Sequence, residues 1–404
     1  MSSNITNLLS HGYDPTLSEG SLVTPIFRTS TFSFNNSKSG KRAFEIAYGL
    51  DKLKENESPS LIYTRVNNPN MEIIEDKLRY LDDTESCLVF SSGMAAITNS
   101  LLAVLDRGDT LIYSYPVYGG THYLLTHILP KYGIHVYGFP AGCDETYLMN
   151  FVKDKVNIKV IYIETPCNPL LTVTSLKMIH NVRKFACNNA FILVDSTMAG
   201  PEFLKPNKFD VDLILYSVTK FIGGHSDLIA GLASGKKKVI DKIKVYRTIF
   251  GSIPDPDTCW LIQRSLPTIS LRMKQQQDNC QKVCEFLKTH PKIKKIYYPG
   301  MNNDYQKLIV EEEYLGQGSI ISFELDGGEK ESFLFLDNLR VFKLAVSLGS
   351  VESLAQHPYS MTHSDLSSKD KEEGGIHDNL IRLSIGLENV EDIINDLLNA
   401  LEQI

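Results

Sequence analysis

Between residues 70 and 250, short apolar runs alternate with segments whose apolar positions recur every three or four residues. The runs fall at 87–90, 110–113, 135–137, 160–163, 191–194 and 213–216. They are almost unbroken, which is the pattern of strands covered on both faces rather than on one. The intervening stretches 94–105 and 175–183 carry helical spacing. Together they predict a mostly parallel sheet sandwiched between helices, a doubly wound α/β layer.

On either side the pattern changes. Residues 1–66 are irregular, with a polar stretch at 35–42 and a charged one at 51–57, just before Pro59. Such an arm has too little apolar surface for a core of its own, so it is expected to drape over a neighbouring subunit. Beyond Ile253-Pro254-Asp255-Pro256 a long helix is expected over 258–289. Strands at 319–325 and 382–385 and helices at 331–338 and 390–401 follow, which suggests a smaller α+β unit. The expected organisation is an arm (1–66), a large α/β domain (67–256) and a C-terminal α+β domain (257–404), with no internal repeat.

Composition narrows the function. The 404 residues are 43% hydrophobic and 22% charged, enough for a large core and too apolar for disorder. A net charge of -7 argues against nucleic-acid binding. No stretch is apolar enough to span a membrane, and the start lacks a secretory pattern. The seven cysteines form no Cys-x-x-Cys pair and no metal-ligand spacing. Cys280 and Cys284 are expected on one helix face as small core residues. Free thiols fit a reducing compartment, so a cytoplasmic location is expected. Lys236-Lys237-Lys238 is expected as a solvated helix start.

Three strand ends carry candidate chemistry. Ser91-Ser92-Gly93-Met94 joins a strand to a helix, where free N–H groups and the helix dipole suit a phosphate, although Ser92 is equally a plain N-cap. Val194-Asp195-Ser196-Thr197 places an acid at the carboxyl end of a very apolar strand, and a buried carboxylate needs a partner. Ser217-Val218-Thr219-Lys220 brings two hydroxyls beside a lysine that burial can turn into a nucleophile. A phosphate cradle, an acid for a pyridinium nitrogen and a Schiff-base lysine are the three requirements of pyridoxal 5'-phosphate. Tyr118, in Tyr115-Pro116-Val117-Tyr118-Gly119-Gly120-Thr121, can cover the ring.

These segments resemble the Cys/Met-metabolism, or transsulfuration, family of pyridoxal-phosphate enzymes. The likeness extends to Tyr63-Thr64-Arg65, Glu164-Thr165-Pro166-Cys167-Asn168-Pro169, Ser347-Leu348-Gly349, Ala355-Gln356-His357-Pro358, Ser360-Met361-Thr362-His363 and Ile381-Arg382-Leu383-Ser384. The resemblance implies fold type I, the aspartate-aminotransferase-like architecture, in a homotetramer built as a dimer of dimers. It also implies the roles. Lys220 carries the cofactor, Asp195 holds the ring nitrogen protonated, and Tyr118 stacks on the ring and helps activate the substrate. Gly93, Met94, Ser217 and Thr219 hold the phosphate, with Tyr63 and Arg65 reaching the neighbour's. Arg382 clamps the substrate carboxylate, and Ser347, Asn168 and Thr362 line the site.

Two departures stand out: Ser196 replaces the family's usual Asn, and the arm before Tyr63 is long. For the reaction, Val346 stands where cystathionine enzymes often carry Glu, which favours a neutral thioether. Gly120, where methionine γ-lyases typically carry Cys, points the other way. The expectation is α,γ-elimination of L-methionine, with cystathionine γ-lyase, cystathionine β-lyase or cystathionine γ-synthase activity as the alternatives. A Rossmann reading fails, because Gly316-Gln317-Gly318 does not join a strand to a helix in a βαβ unit. A metal module of His225, His357 and His363 has no supporting spacing.

Overall fold

The computed structural model describes residues 4–55, 57–364 and 366–404; the first three residues of the arm, Asn56 in its charged stretch, and Asp365 lie outside the described residues. Seven strands form the first sheet: β1 (Ser86–Phe90), β2 (Thr110–Tyr115), β3 (His135–Pro140), β4 (Ile158–Glu164), β5 (Phe191–Asp195), β6 (Leu213–Ser217) and β7 (Gly231–Gly235). Their order is β1-β7-β6-β5-β4-β2-β3, and only β7 runs antiparallel to its neighbours. All six expected strands form. The seventh, Gly231-Leu232-Ala233-Ser234-Gly235, lacks the large β-branched residues that mark a strand. Its small residues have a steric reason: a Cβ on Gly231 would lie 2.1 Å from the Ser92 carbonyl oxygen.

Successive side chains of each strand enter different cores, as the two-residue period requires. Ile161 and Ile163 of β4 and Ile192 and Val194 of β5 pack on one face. Val160, Tyr162 and Leu193 pack on the other, against Ala96, Ile97 and Leu101 of the helix Gly93–Val104. By the same parity, Glu164 and Asp195, the last residues of β4 and β5, share that second face. They are also direct partners in the β4/β5 register. The sheet therefore delivers two acids, side by side, to its carboxyl edge.

A second sheet contains β8 (Ile293–Tyr297), β9 (Ile320–Leu325), β10 (Lys343–Leu344), β11 (Leu354–Gln356) and β12 (Leu380–Ser384), in the order β10-β11-β12-β9-β8. Phe323, Ile381 and Leu383 pack on Cys280, Val283, Cys284 and Leu287 of the helix Ile269–Thr289, so the cysteine pair is core. The helix expected over 258–289 is broken. Pro256–Ser265 and Ile269–Thr289 flank a 3-10 turn at Leu266–Thr268, because Pro267 cannot donate to the helical ladder.

The arm is less irregular than its sequence suggests. It holds helices at Asn4–Ser10 and Ser37–Ala47, the latter capped by Asn36, whose side chain accepts from the Ser39 N–H at 2.9 Å. The polar stretch at 35–42 is thus a helix start. Lys236 does precede a helix, but its ammonium is not simply solvated: it pairs with Asp210 at 2.8 Å and Asp212 at 2.7 Å. All seven cysteines are free. Among the described residues no helix is long and apolar enough to cross a membrane.

Candidate active site

The carboxyl ends of β4, β5 and β6 and the turn after β1 enclose a cavity of about 310 Å³. On one wall, Ser92 has extended backbone (φ -164°) and its hydroxyl accepts from the Ala95 N–H at 3.0 Å. Ser92 is therefore an N-cap, and the N–H groups of Gly93 and Met94 begin a helix, where no intrahelical acceptor exists for them. Ser217 closes against this turn: a Cβ on Gly93 would lie 3.0 Å from the Ser217 Cβ. Thr219 also lines the cavity, with its hydroxyl bonded to the N–H and carbonyl of Ala230 at 3.1 and 3.2 Å.

Two buried acids also line the cavity. Asp195 Oδ1 accepts from the Thr197 N–H at 3.0 Å and Oδ2 from the Tyr162 hydroxyl at 3.3 Å. Glu164 Oε2 accepts from the Tyr118 N–H and Oε1 from the Asn168 N–H, each at 2.8 Å. Burial pushes both carboxyls above the usual carboxylate range, and Asp195 pushes Glu164 further. A charged donor placed beside Asp195 would hold it ionised.

Lys220 follows β6 and donates to the Ser347 hydroxyl at 2.9 Å. Burial, and then the nearby Arg382 charge, lower its amine to about 8. Arg382, on β12, is 3% exposed and among the described residues has only neutral partners: the Asn168 Oδ1 and the Ser347 carbonyl, both at 2.8 Å, and the Gln356 side-chain amide at 3.2 Å. Burial lowers it to about 10, so it stays charged at neutral pH. A buried cation without a carboxylate partner leaves room for one from a ligand.

Tyr118, Val346 and Thr362 complete the lining. Tyr118 is 45% exposed and Val346 58% exposed, which places both at the opening. The Tyr118 ring also occupies the space a Gly120 side chain would need, since a Cβ there would lie 2.7 Å from Tyr118 Cε1.

The structure thus gathers Lys220, Asp195, Tyr118, Gly93, Met94, Ser217, Thr219, Arg382, Asn168, Thr362 and Val346 around one cavity, with Ser347 hydrogen-bonded at its edge. Tyr63 and Arg65 are not among them. They line a separate surface recess with Arg28, Ser30 and Gly251, where Arg65 donates to the Thr248 carbonyl at 2.7 Å and lies 5.8 Å from the Tyr63 ring centroid. Ser196 is fully buried and does not line the cavity. Its neighbour Thr197 does, and the Thr197 hydroxyl accepts from the Ser217 N–H at 2.8 Å. Glu164, Tyr162, Thr197 and Gln356 received no role from the sequence. Glu164 carried the same signal as Asp195, an acid at the carboxyl end of an apolar run.

The family model for Cys/Met metabolism PLP-dependent enzymes matches residues 5–402. An L-methionine γ-lyase of Fusobacterium nucleatum subsp. polymorphum is 39% identical over 389 residues, covering 95% of this chain and 94% of the relative. A cystathionine β-lyase of Lactococcus lactis subsp. cremoris is 37% identical over 404 residues, all of both chains. The solved structure of a cystathionine γ-lyase from Lactobacillus plantarum, complexed with L-serine, superposes with a TM-score of 0.89 at 32% identity, covering 100% of this chain and 99% of that one. A doubly wound sheet of fold type I, a cavity at its carboxyl edge and a match along almost the whole chain agree: this protein belongs to the pyridoxal-phosphate-dependent enzymes of Cys/Met metabolism.

Proposed function

We propose that this chain is a carbon–sulfur lyase that, with one water, converts L-methionine to methanethiol, 2-oxobutanoate and ammonia. The cavity fits the cofactor on three counts: a helix start for the phosphate, a buried acid lacking a cation, and a partly buried lysine with a depressed amine. Bound pyridoxal phosphate supplies an electron-withdrawing ring that stabilises negative charge at the substrate Cα.

The chain's residues do the rest. Lys220 would carry the cofactor and move the Cα proton, and Asp195 would hold the ring nitrogen protonated. The Gly93 and Met94 N–H groups with the Ser217 and Thr219 hydroxyls hold the phosphate. Tyr118 covers the ring and helps activate the substrate amine. Arg382 binds the substrate carboxylate, with Asn168 and Ser347 fixing its guanidinium and Thr362 lining the pocket beside it.

Val346 carries the choice of substrate. It is apolar, sits at the opening, and shares the lining with Leu348 and Ile229. Among the described residues the charged members of the lining are Glu164, Asp195, Lys220 and Arg382, so a distal ammonium finds no acid among them at the opening. A methyl thioether needs none. Gly120 favours the second reading, a cystathionine lyase or synthase, because the family's methionine γ-lyases carry Cys there. Introducing Val346→Glu is expected to shift relative kcat/KM toward cystathionine by at least about tenfold, since the new carboxylate pairs with the distal ammonium in a partly desolvated site. An unchanged ratio would remove Val346 as the determinant.

The same reading gives residues 1–66 as an arm for a neighbouring subunit, 67–256 as the cofactor domain and 257–404 as the C-terminal domain, in a cytoplasmic homotetramer. What supports sharing is the position of Tyr63 and Arg65, outside their own chain's cavity in a recess that includes Arg28 and Ser30. Mixing Arg65→Ala with Lys220→Ala protein should regenerate activity, because one hybrid site carries neither substitution. No recovery despite demonstrated subunit exchange would contradict shared sites.

A further inference from the structure

We propose that Glu164 is a positioning residue for the reaction, its single carboxylate fixing both the loop that carries Tyr118 and the loop that carries Asn168, the holder of Arg382. This rests on the roles given above to Tyr118 and Arg382. Glu164 is 3% exposed, lines the cavity, and ends β4. Its oxygens are divided: Oε2 takes the Tyr118 N–H and Oε1 the Asn168 N–H, both at 2.8 Å. The Asn168 side chain then accepts from Arg382 Nη1 at 2.8 Å. One acid therefore connects, through two loops, the aromatic cover of the cavity with its carboxylate clamp.

The acid itself is held firmly. Its N–H donates to the Ser114 hydroxyl at 3.0 Å, and it stands beside Asp195 in the strand register. A buried acid elsewhere in this chain has an evident structural partner: Asp212 pairs with Arg183 at 2.9 Å and Lys236 at 2.7 Å. Glu164 pairs with no basic side chain among the described residues, and its hydrogen bonds go only to the two site loops. Burying a carboxylate for packing alone would be unfavourable.

An amide cannot replace it. Glutamine offers one acceptor, and its NH2 would face one of the two N–H donors, so one loop must shift. Aspartate keeps both acceptor oxygens but is one methylene too short to span both donors.

The test uses the cofactor-loaded enzyme and whichever sulfur amino acid the wild type turns over, so failure of the methionine reading leaves it intact. Glu164→Gln is expected to retain wild-type cofactor content while kcat/KM falls at least about tenfold. The visible circular dichroism of the bound cofactor should shrink, because Tyr118 no longer fixes the ring. Asn168→Ala, damaging alone, should cause a loss at least about threefold smaller in the Glu164→Gln background, because both act on Arg382. Should Glu164→Gln not fold, Glu164→Asp carries the same comparisons. A kcat/KM within about twofold of wild type, unchanged circular dichroism, or full additivity with Asn168→Ala would each overturn the proposal. Failure of the functional reading would look different: wild-type protein without cofactor absorbance, or without turnover of any sulfur amino acid.

Discussion

Lys220→Ala is expected to lower turnover by about a thousandfold or more and to remove the visible absorbance of the lysine-bound cofactor. The expectation follows from the surroundings of the amine. Among the described residues it has no carboxylate partner, it donates to a neutral hydroxyl of Ser347 at 2.9 Å, and burial beside Arg382 holds it at about 8. An exposed lysine stays mostly protonated up to about pH 10 and is a poor nucleophile at neutral pH. The pH dependence has a definite sign. Protonated amine cannot attack an aldehyde, so capture of pyridoxal phosphate by cofactor-free wild-type protein should quicken as pH rises and level off above about 8. Stopped-flow absorbance measures the capture, and steady-state assay of Lys220→Ala measures the loss. Wild-type turnover by the alanine variant would refute the role.

Arg382→Ala is expected to produce the next largest effect. The guanidinium is buried, charged at neutral pH and surrounded by neutral acceptors, so the substrate carboxylate is the anion it lacks. Removing one member of a buried charge pair costs about 2–5 kcal/mol, which is about thirtyfold to several thousandfold in kcat/KM. Most of it should fall on KM, with cofactor absorbance preserved. Arg382→Lys should recover only part, because an ammonium lacks the two-pronged fork that matches a carboxylate. Full recovery by lysine would show that charge alone suffices.

The sheet was legible because both of its faces are buried: continuous apolar runs at 160–163 and 191–194 have no other stable use than interior strands. Asp195 stood out for the same reason, as a charge at the end of such a run. Glu164 obeys the identical rule and was passed over, since its partners, the N–H groups of Tyr118 and Asn168, are backbone atoms that leave no trace in residue type. β7 escaped because its ends lie against backbone carbonyls, Gly231 against Ser92 and Gly235 against Asp212, which select glycine, not β-branched residues. The arm helix Ser37–Ala47 escaped because its polar, capped start reads like a loop. That Tyr63 and Arg65 lie outside the cavity was expected from the resemblance alone; no periodicity in a single chain encodes a neighbour's site.

In the proposed function, substrate choice rests on one apolar side chain at the opening, Val346, set against the missing side chain of Gly120. Purified wild-type enzyme should therefore be assayed in parallel on L-methionine, L-cystathionine, L-homocysteine and an O-acyl-L-homoserine, following thiol and keto acid together. Release of methanethiol and 2-oxobutanoate in equal amounts, with kcat/KM for methionine at least equal to that for cystathionine, is the expected result. A wide preference for cystathionine over methionine would contradict it and assign the chain to the cystathionine enzymes.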